Sequence, residues 1–417
     1  MINKNLVIVG GGSAGMAAAI RAFELGEKDI LIIEKNNYLG GILNQCIHNG
    51  FGLHEFKEEL TGPEFMTRFS DMVNEKHIEY KLNSYVLDIS KDKVITFSND
   101  IDGIVQVNAK AIILTTGCYE RNAGAIQIPG DRPSGVLTAG QAQLYLNNYG
   151  YLVGKKVFIL GSGDIGLIMA RRMSLEGAKV LGVAELNPYS AGLNRNIQQC
   201  LLDLNIPLYL SHTVKEVRGK SHLEQVVIAK VDEKFNFIPD TEKVFDCDTL
   251  LLSIGLIPNM YLLENLGINF SKTRGAVVNQ AMETELPGVF SAGNVLHVHD
   301  VVDYVVVEAR EAAEGAVLYL NDKLNNDPNY INCVGSTGVN YVVPQKVCVS
   351  EANNVITFKF RVNKPYKDIN IVFRHNGEVV RKVYKTAIIP SEMEMVKFPK
   401  SLFKSNVGEL TITVEEK

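Results

Sequence analysis

Residues 5–35 read NLVIVGGGSAGMAAAIRAFELGEKDILIIEK, and the rest of the chain takes its meaning from them. Residues 6–9 are a short apolar run ending at a glycine, the pattern of a strand buried on both faces of a parallel sheet. Gly10, Gly12 and Gly15 follow at G-x-G-x-x-G spacing, and Ala14, Ala17, Ala18, Ala19 and Ile20 open a helix whose small residues allow close packing on the strand. Residues 30–33 form a second apolar run, closed by Glu34 and Lys35. Each residue type has a physical role. Gly10 permits the tight turn, Gly12 lets backbone approach a pyrophosphate, and Gly15 lets helix and strand touch. The unpaired amides and dipole at the helix start hold phosphate charge, and Glu34 accepts hydrogen bonds from a ribose diol.

The pattern occurs twice. Gly161, Gly163, Gly166, Ala170, Gly177 and Glu185 repeat Gly10, Gly12, Gly15, Ala19, Gly26 and Glu34, each pair 151 residues apart. Apolar runs at 156–160 and 179–184 supply the second copy with its flanking strands. Two copies in matching context predict two dinucleotide-binding units, where a lone glycine turn would equally serve packing.

At 417 residues the chain has room for two or three domains with their own cores. A net charge of −5 gives no sign of a nucleic-acid or anionic-membrane partner. No apolar run approaches the roughly 20 residues that span a bilayer, so membrane insertion is not expected. The first strand starts almost at once, and a cytoplasmic location is the expectation. Six cysteines (Cys46, Cys118, Cys200, Cys247, Cys333, Cys348) form no C-x-x-C or comparable pair, which argues for thiols in a reducing compartment.

Between the repeats, GGILNQCIHNGFG at 40–52 is too glycine-rich for a regular element and reads as a loop or interrupted helix beside a cofactor. Thr61-Gly62-Pro63-Glu64 starts a helix. Residues 84–89, 93–97 and 104–107 alternate as an antiparallel meander, and 111–117 is a separate buried strand ending in Thr-Gly. Residues 122–136 are a boundary loop, 139–149 a helix, 249–254 a return strand, and 301–320 a long helix with alanines on one face. Residues 321–338 read as a linker. Beyond it, Ile356, Phe358, Phe360 and Val362 alternate with Thr357, Lys359 and Arg361, the pattern of a half-buried strand. With a hairpin turn at Asn376-Gly377, this predicts a small β-sandwich holding no catalytic constellation.

These pieces resemble the two-dinucleotide flavoproteins called pyridine nucleotide–disulfide oxidoreductases. The carriers are GGGSAG with Glu34, AIILTTG ending at Gly117, GSGDIG with Glu185, LLLSIGLIPN, and TELPGVFSAGN ending at Asn294, in family order over roughly 5–320. GGILNQCIHNGFG and GNVLHVHD narrow the resemblance to a branch with sarcosine oxidase alpha, opine oxidase and hydrogen cyanide synthase B subunits. Within that branch the chain also resembles the small flavoproteins associated with anaerobic glycerol-3-phosphate dehydrogenase. The resemblance implies an α/β fold of two Rossmann-like domains, an FAD domain interrupted by an inserted NAD domain, plus the all-β module. The expected bounds are 1–125, 126–252, 253–325 and 333–417. It implies FAD held by Gly10, Gly12, Ser13, Ala14, Gly15, Glu34, Lys35, Gly41, Thr116, Gly117, Gly293 and Asn294. NAD falls to Gly161, Gly163, Asp164, Ile165, Gly166, Glu185 and Gly255. Glu185 repels the extra phosphate of NADPH, so NADH is the expected nucleotide, although Arg195 lies ten residues on.

Three departures matter. Leu43 and His48 stand where disulfide reductases carry their cysteine pair, and Cys46 is single, so an internal redox disulfide is not expected. Gly293-Asn294 replaces the family's Gly-Asp, leaving an amide to bond the ribityl chain. The β module replaces the usual dimerisation domain; an oligomer remains compatible, in an arrangement of its own. Cys46, His48 and His299 are the candidate catalytic residues, each against a bland alternative of packing or loop ordering. The start of the last helix, near Val301, is expected to bring positive potential to the flavin. His297, His299, Asp300 and Asp303 fit no metal template, and no metal is expected. The leading function is an FAD-dependent NAD(P)H oxidoreductase passing hydride from NADH to flavin and on to a second acceptor. The alternatives are the flavin subunit of a dehydrogenase complex (glycerol-3-phosphate, amine or hydroxy acid) or an electron-transfer subunit needing a partner redox subunit.

Overall fold

The computed structural model describes residues 2–324 and 327–417. Its α-helices are α1 (Ser13–Glu24), α2 (Gly62–Glu75), α3 (Ala139–Tyr149), α4 (Asp164–Leu175), α5 (Asn194–Cys200) and α6 (Val302–Leu320). The chain divides into two compact units, one of 1–118 with 258–417 and one of 119–257. The sequence reading places those cuts at 125/126 and 252/253. Residues 119–125 belong with the second unit because the segment they lead into is built into it: Ile128 is in that unit's core, and Val217 N–H donates to Pro129 O at 3.1 Å.

The first unit is built on a seven-stranded sheet. Ile2–Val9 lies at its centre, parallel to both Ile30–Ile33 and Gly103–Leu114. Residues 104–107 and 111–114, which the alternation separates, are one strand. Its first half pairs antiparallel with Val94–Asn99, and its last three residues pair parallel with Val289–Ser291 along the same edge. The burial pattern changes accordingly, from alternating to fully buried at 111–114. The alanine face of α6 (Ala309, Ala312, Ala313, Ala316) is fully buried, and α1, equally rich in small residues, packs against this helix. Thr61 and Glu64 form a reciprocal capping box at α2, with Pro63 in its first turn.

The C-terminal module is two sheets face to face, five strands against three, around Phe358, Phe360, Phe373 and Phe398. The linker reading over 321–338 needs correction. Residues 325 and 326 lie outside the described residues, but Ile331–Gly335 is a strand paired parallel with Gly408–Glu416. The module belongs to the first unit, and Val343 reaches into that unit's main core.

The second unit has a five-stranded parallel sheet ordered 136–138, 249–252, 156–160, 179–185, 208–210. An antiparallel sheet of His212–Arg218, Gln225–Lys230 and Lys243–Asp246, absent from the sequence reading, completes it.

Candidate nucleotide and flavin sites

Register places the sites. In the first unit Val9 is level with Ile33 and Leu114, and Leu114 with Ser291. The next residues, Gly10, Glu34, Thr115 and Ala292, therefore share one sheet edge, followed by Lys35, Thr116-Gly117 and Gly293-Asn294. The carboxyl ends of parallel strands are where open α/β sheets bind ligands. In the second unit Leu160 is level with Ala184 and Leu252, which puts Gly161, Glu185 and Ser253 on the matching edge.

The glycines divide by what a side chain would meet. Gly10 has φ +107°, and a Cβ there would stand 2.5 Å from Thr115 O; at Gly15 it would stand 1.8 Å from Gly10 O. Both are required by the turn itself. At Gly12 the nearest atom is Gly41 Cα at 4.0 Å, and at Gly117 nothing lies within 4 Å. The turn is thus open where a pyrophosphate approaches. α1 has no side-chain cap and no acid in its first turn, so its opening amides suit an anion. Gly40 N–H donates to Gly11 O at 2.8 Å, seating Gly40-Gly41 against the turn. These residues fit a dinucleotide. Lys35 is exposed, and Thr116 Oγ1 donates to Asn259 O at 2.8 Å.

The repeat extends to hydrogen bonds. Glu34 accepts from Gly11 N–H (2.7 Å) and Asn36 N–H (2.8 Å); Glu185 accepts from Ser162 N–H (3.0 Å) and Asn187 N–H (2.9 Å). The partners 11 and 162, like 36 and 187, are again 151 apart. One difference is chemical. Ser162 Oγ (2.6 Å) and Asn187 Nδ2 (2.9 Å) also donate to Glu185. A carboxylate offers about four lone-pair directions, so Glu34 keeps two for a ribose diol while Glu185 must exchange a side-chain donor for one. Asp164 is turned aside, accepting from Leu193 N–H (2.9 Å) and Asn196 Nδ2 (2.7 Å). Ile165 is half-buried, and Gly255 is exposed.

Cys46 and His48 lie between a 3-10 helix, Gly41–Gln45, and a short strand, Asn49–Phe51. Burial pushes the Cys46 thiol up to about 12, so it stays protonated at neutral pH and is a poor nucleophile. The His48 ring leans on Phe51 at 5.1 Å. α6 ties down the following residues. Asp303, 2 % exposed, accepts from the backbone N–H of Gly52 (3.3 Å), His54 (3.0 Å) and Glu55 (2.8 Å), and Arg310 pairs with Glu55. Asp303 also places a buried carboxylate in the first turn of this helix, next to the positive end of its dipole.

The sequence reading missed a buried polar cluster beside the flavin segment. Glu308 of α6, fully buried, accepts from Gly293 N–H at 2.8 Å through Oε1. Its Oε2 lies 2.7 Å from His297 Nε2, 3.0 Å from Lys359 Nζ and 3.5 Å from His299 Nε2. Lys359 comes from the C-terminal module and also reaches Glu311 at 2.6 Å. The polar face of that strand is therefore an interface rather than a solvated surface. Two residues on, Arg361 binds Asp300 Oδ1 at 2.7 Å and Val298 O at 3.2 Å. Burial opposes the charges on Glu308 and Lys359, but their mutual attraction prevails: the carboxyl is held well below its usual range and the ammonium raised above its own. Burial pushes His297 down to about 4 against the pull of Glu308, so it is neutral. His299 donates its backbone N–H to Asn294 Oδ1 at 3.0 Å, which leaves the Asn294 Nδ2 end for a ribityl hydroxyl. Ligand atoms of His297, His299 and Glu308 lie within 4.8 Å of one another, but a metal ion there would meet the Lys359 ammonium at close range.

A profile of the pyridine nucleotide-disulphide oxidoreductase family matches residues 4–316, and the chain belongs to that family. Flavin-dependent pyridine nucleotide oxidoreductases make up that family. Hydrogen cyanide synthase subunit HcnB of Pseudomonas protegens is 27 % identical over 324 residues, covering 70 % of this chain and 66 % of that protein. An NAD(P)H coenzyme A polysulfide/persulfide reductase of Pyrococcus horikoshii is 24 % identical over 314 residues, covering 72 % and 64 %. The matched region thus spans about two thirds of these relatives. Among solved structures, T. acidophilum thioredoxin reductase superposes with TM-score 0.63 at 24 % identity, over 78 % of this chain and all of that one (100 %). The α/β fold with its strand-rich C-terminal module stands as expected. Among the described residues no helix is long and apolar enough to cross a membrane.

Proposed function

We propose that the chain holds FAD on the first sheet edge and NADH on the second, and passes two electrons from NADH to a second acceptor without an internal dithiol. One observation carries this reading: two sheet-edge sites whose carboxylates accept the same pair of backbone N–H bonds, with a single buried thiol in the loop beside the first. Bound FAD supplies the two-electron chemistry; the protein supplies binding, orientation and charge. Gly10, Gly12, Ser13, Ala14 and Gly15 receive the pyrophosphate and Glu34 the ribose. Gly117, Gly293 and Asn294 receive the flavin end.

Cys46→Ser tests the thiol. Because Cys46 makes no bond in NADH oxidation on this reading, the variant is expected to keep NADH-driven bleaching of the flavin within about tenfold of wild type, under about 1.4 kcal/mol. Stopped-flow absorbance of the two half-reactions, run separately, is the check. A larger loss in the reductive half overturns the reading.

Glu185 favours NADH because its carboxylate faces the site of the NADPH phosphate with no basic partner bonded to it. Glu185→Gln is expected to narrow the NADH preference by about 1–2 kcal/mol, roughly 5- to 30-fold. Equal rates of flavin reduction by both nucleotides in wild type would contradict this.

A second reading follows from HcnB, which is named as a subunit of its synthase: the chain works as the flavin subunit of a complex. Steady-state turnover of the isolated chain with NADH and a generic dye separates the two. Turnover at ordinary enzymatic rates supports the first reading.

A further inference from the structure

We propose that His299, which lies beside the ion pair of Glu308 with Lys359 of the C-terminal module, is the group that takes up one proton when the bound flavin is reduced. The inference rests on FAD occupying the first sheet edge.

His299 is unusual among the buried side chains of the cluster. Its side chain is 1 % exposed, and neither ring nitrogen has a hydrogen-bond partner among the described residues. Buried polar groups are nearly always satisfied, and one left unpaired calls for a reason. Its neighbour His297 is not in that position: Nε2 is bonded to Glu308, and Nδ1 lies 3.4 Å from the Tyr341 hydroxyl. The two rings are 4.3 Å apart, so they cannot both carry charge at modest cost.

Apart from His299 itself, the surrounding groups sum to one negative charge. From α6 come Glu308 and, farther out, Glu311; from the strand Val355–Val362 come Lys359 and Arg361; from Val339–Val343 comes Tyr341; from its own loop come His297 and Asp300. Glu308 and Glu311 share Lys359, Asp300 is matched by Arg361, and burial pushes Tyr341 up to about 12, leaving it neutral. Glu308 Oε2 at 3.5 Å is positioned to accept from an imidazolium at His299.

The cluster is wired to the flavin segment. Gly293 N–H bonds Glu308, and the His299 N–H bonds the Asn294 side chain. Hydride transfer from NADH delivers two electrons and one proton, and NAD leaves oxidised. One negative charge is therefore added at the sheet edge unless a second proton arrives. His299 takes that proton from solvent on a ring nitrogen, and the sum of charges returns to its starting value.

The test is the midpoint potential of the bound flavin against pH, from pH 5.5 to 8.5, with proton uptake on reduction measured by an indicator dye. One proton per two electrons makes the slope about 30 mV per pH unit. Wild type is expected to bend within this range, its acid limb steeper by about 30 mV per pH unit, with up to one additional proton taken up per chain. His299→Asn, which breaks no side-chain hydrogen bond, is expected to abolish the bend and the extra proton. Lys359→Met, by removing a cation near the ring, is expected to move the bend to higher pH; Lys359→Arg is expected to restore it. Should Lys359→Met fail to fold, the His299→Asn comparison decides. A straight wild-type line, a bend that survives in His299→Asn, or stoichiometric divalent metal in the purified protein would each overturn the proposal. A chain that binds no FAD fails before the titration begins, which distinguishes loss of the functional reading from loss of this one.

Discussion

Lys359→Met is expected to destabilise the first unit by about 3–5 kcal/mol, measured as a fall in the urea midpoint followed by flavin release and far-UV circular dichroism. The ammonium is 1 % exposed and sits between Glu308 and Glu311. Removing it leaves the Glu308 carboxylate buried with no full positive charge beside it, since burial keeps His297 neutral. A buried ion pair adds little over an apolar pair, but breaking one strands a charge. The double variant Lys359→Met with Glu308→Gln is therefore expected to recover most of the loss. The amide oxygen still accepts from Gly293 N–H, and its NH2 donates to His297 Nε2. If Lys359→Met unfolds like wild type, the module's strand does not carry charge into the flavin unit. If the double variant is no better than the single, the loss comes from packing.

Gly12→Val is expected to leave the fold intact and weaken FAD binding by about 3 kcal/mol or more, upward of roughly 100-fold in Kd. The backbone at Gly12 is extended (φ −78°, ψ −167°), a region valine favours, and a Cβ there meets nothing nearer than Gly41 Cα at 4.0 Å. The added methyls point to where a pyrophosphate must approach the helix start. Gly15→Ala is the contrast, because its Cβ would stand 1.8 Å from Gly10 O and disturb the turn itself. Unchanged thermal unfolding of the flavin-free chain, with flavin affinity lost, is the expected signature for Gly12→Val. Full FAD retention would move the flavin site elsewhere.

Where local pattern and tertiary surroundings agree, the sequence was legible. The helix read at 139–149 is α3, the strand read at 156–160 has those bounds, and the long helix starts one residue later than read, at Val302. Both glycine turns were visible because backbone chemistry dictates glycine there whatever surrounds it. The strand 103–114 was split because its environment changes midway, from one solvated face to two buried ones, and periodicity changes with it. Lys359 and Arg361 looked like an ordinary solvated face because alternation reports only which residues avoid one core. Their partners Glu308 and Asp300 are 51 and 61 residues away, and no local rule connects them. Glu308 carried one faint signal, an acid in the otherwise small and apolar run 305–309 of α6.

The most direct test of the central claim is an anaerobic titration of the purified, FAD-loaded chain with NADH, followed by flavin absorbance. The expected result is one flavin per chain, released on denaturation with the mass of FAD and bleached by one equivalent of NADH. A folded chain that cannot be loaded with FAD, or a loaded chain that NADH leaves oxidised, would contradict it.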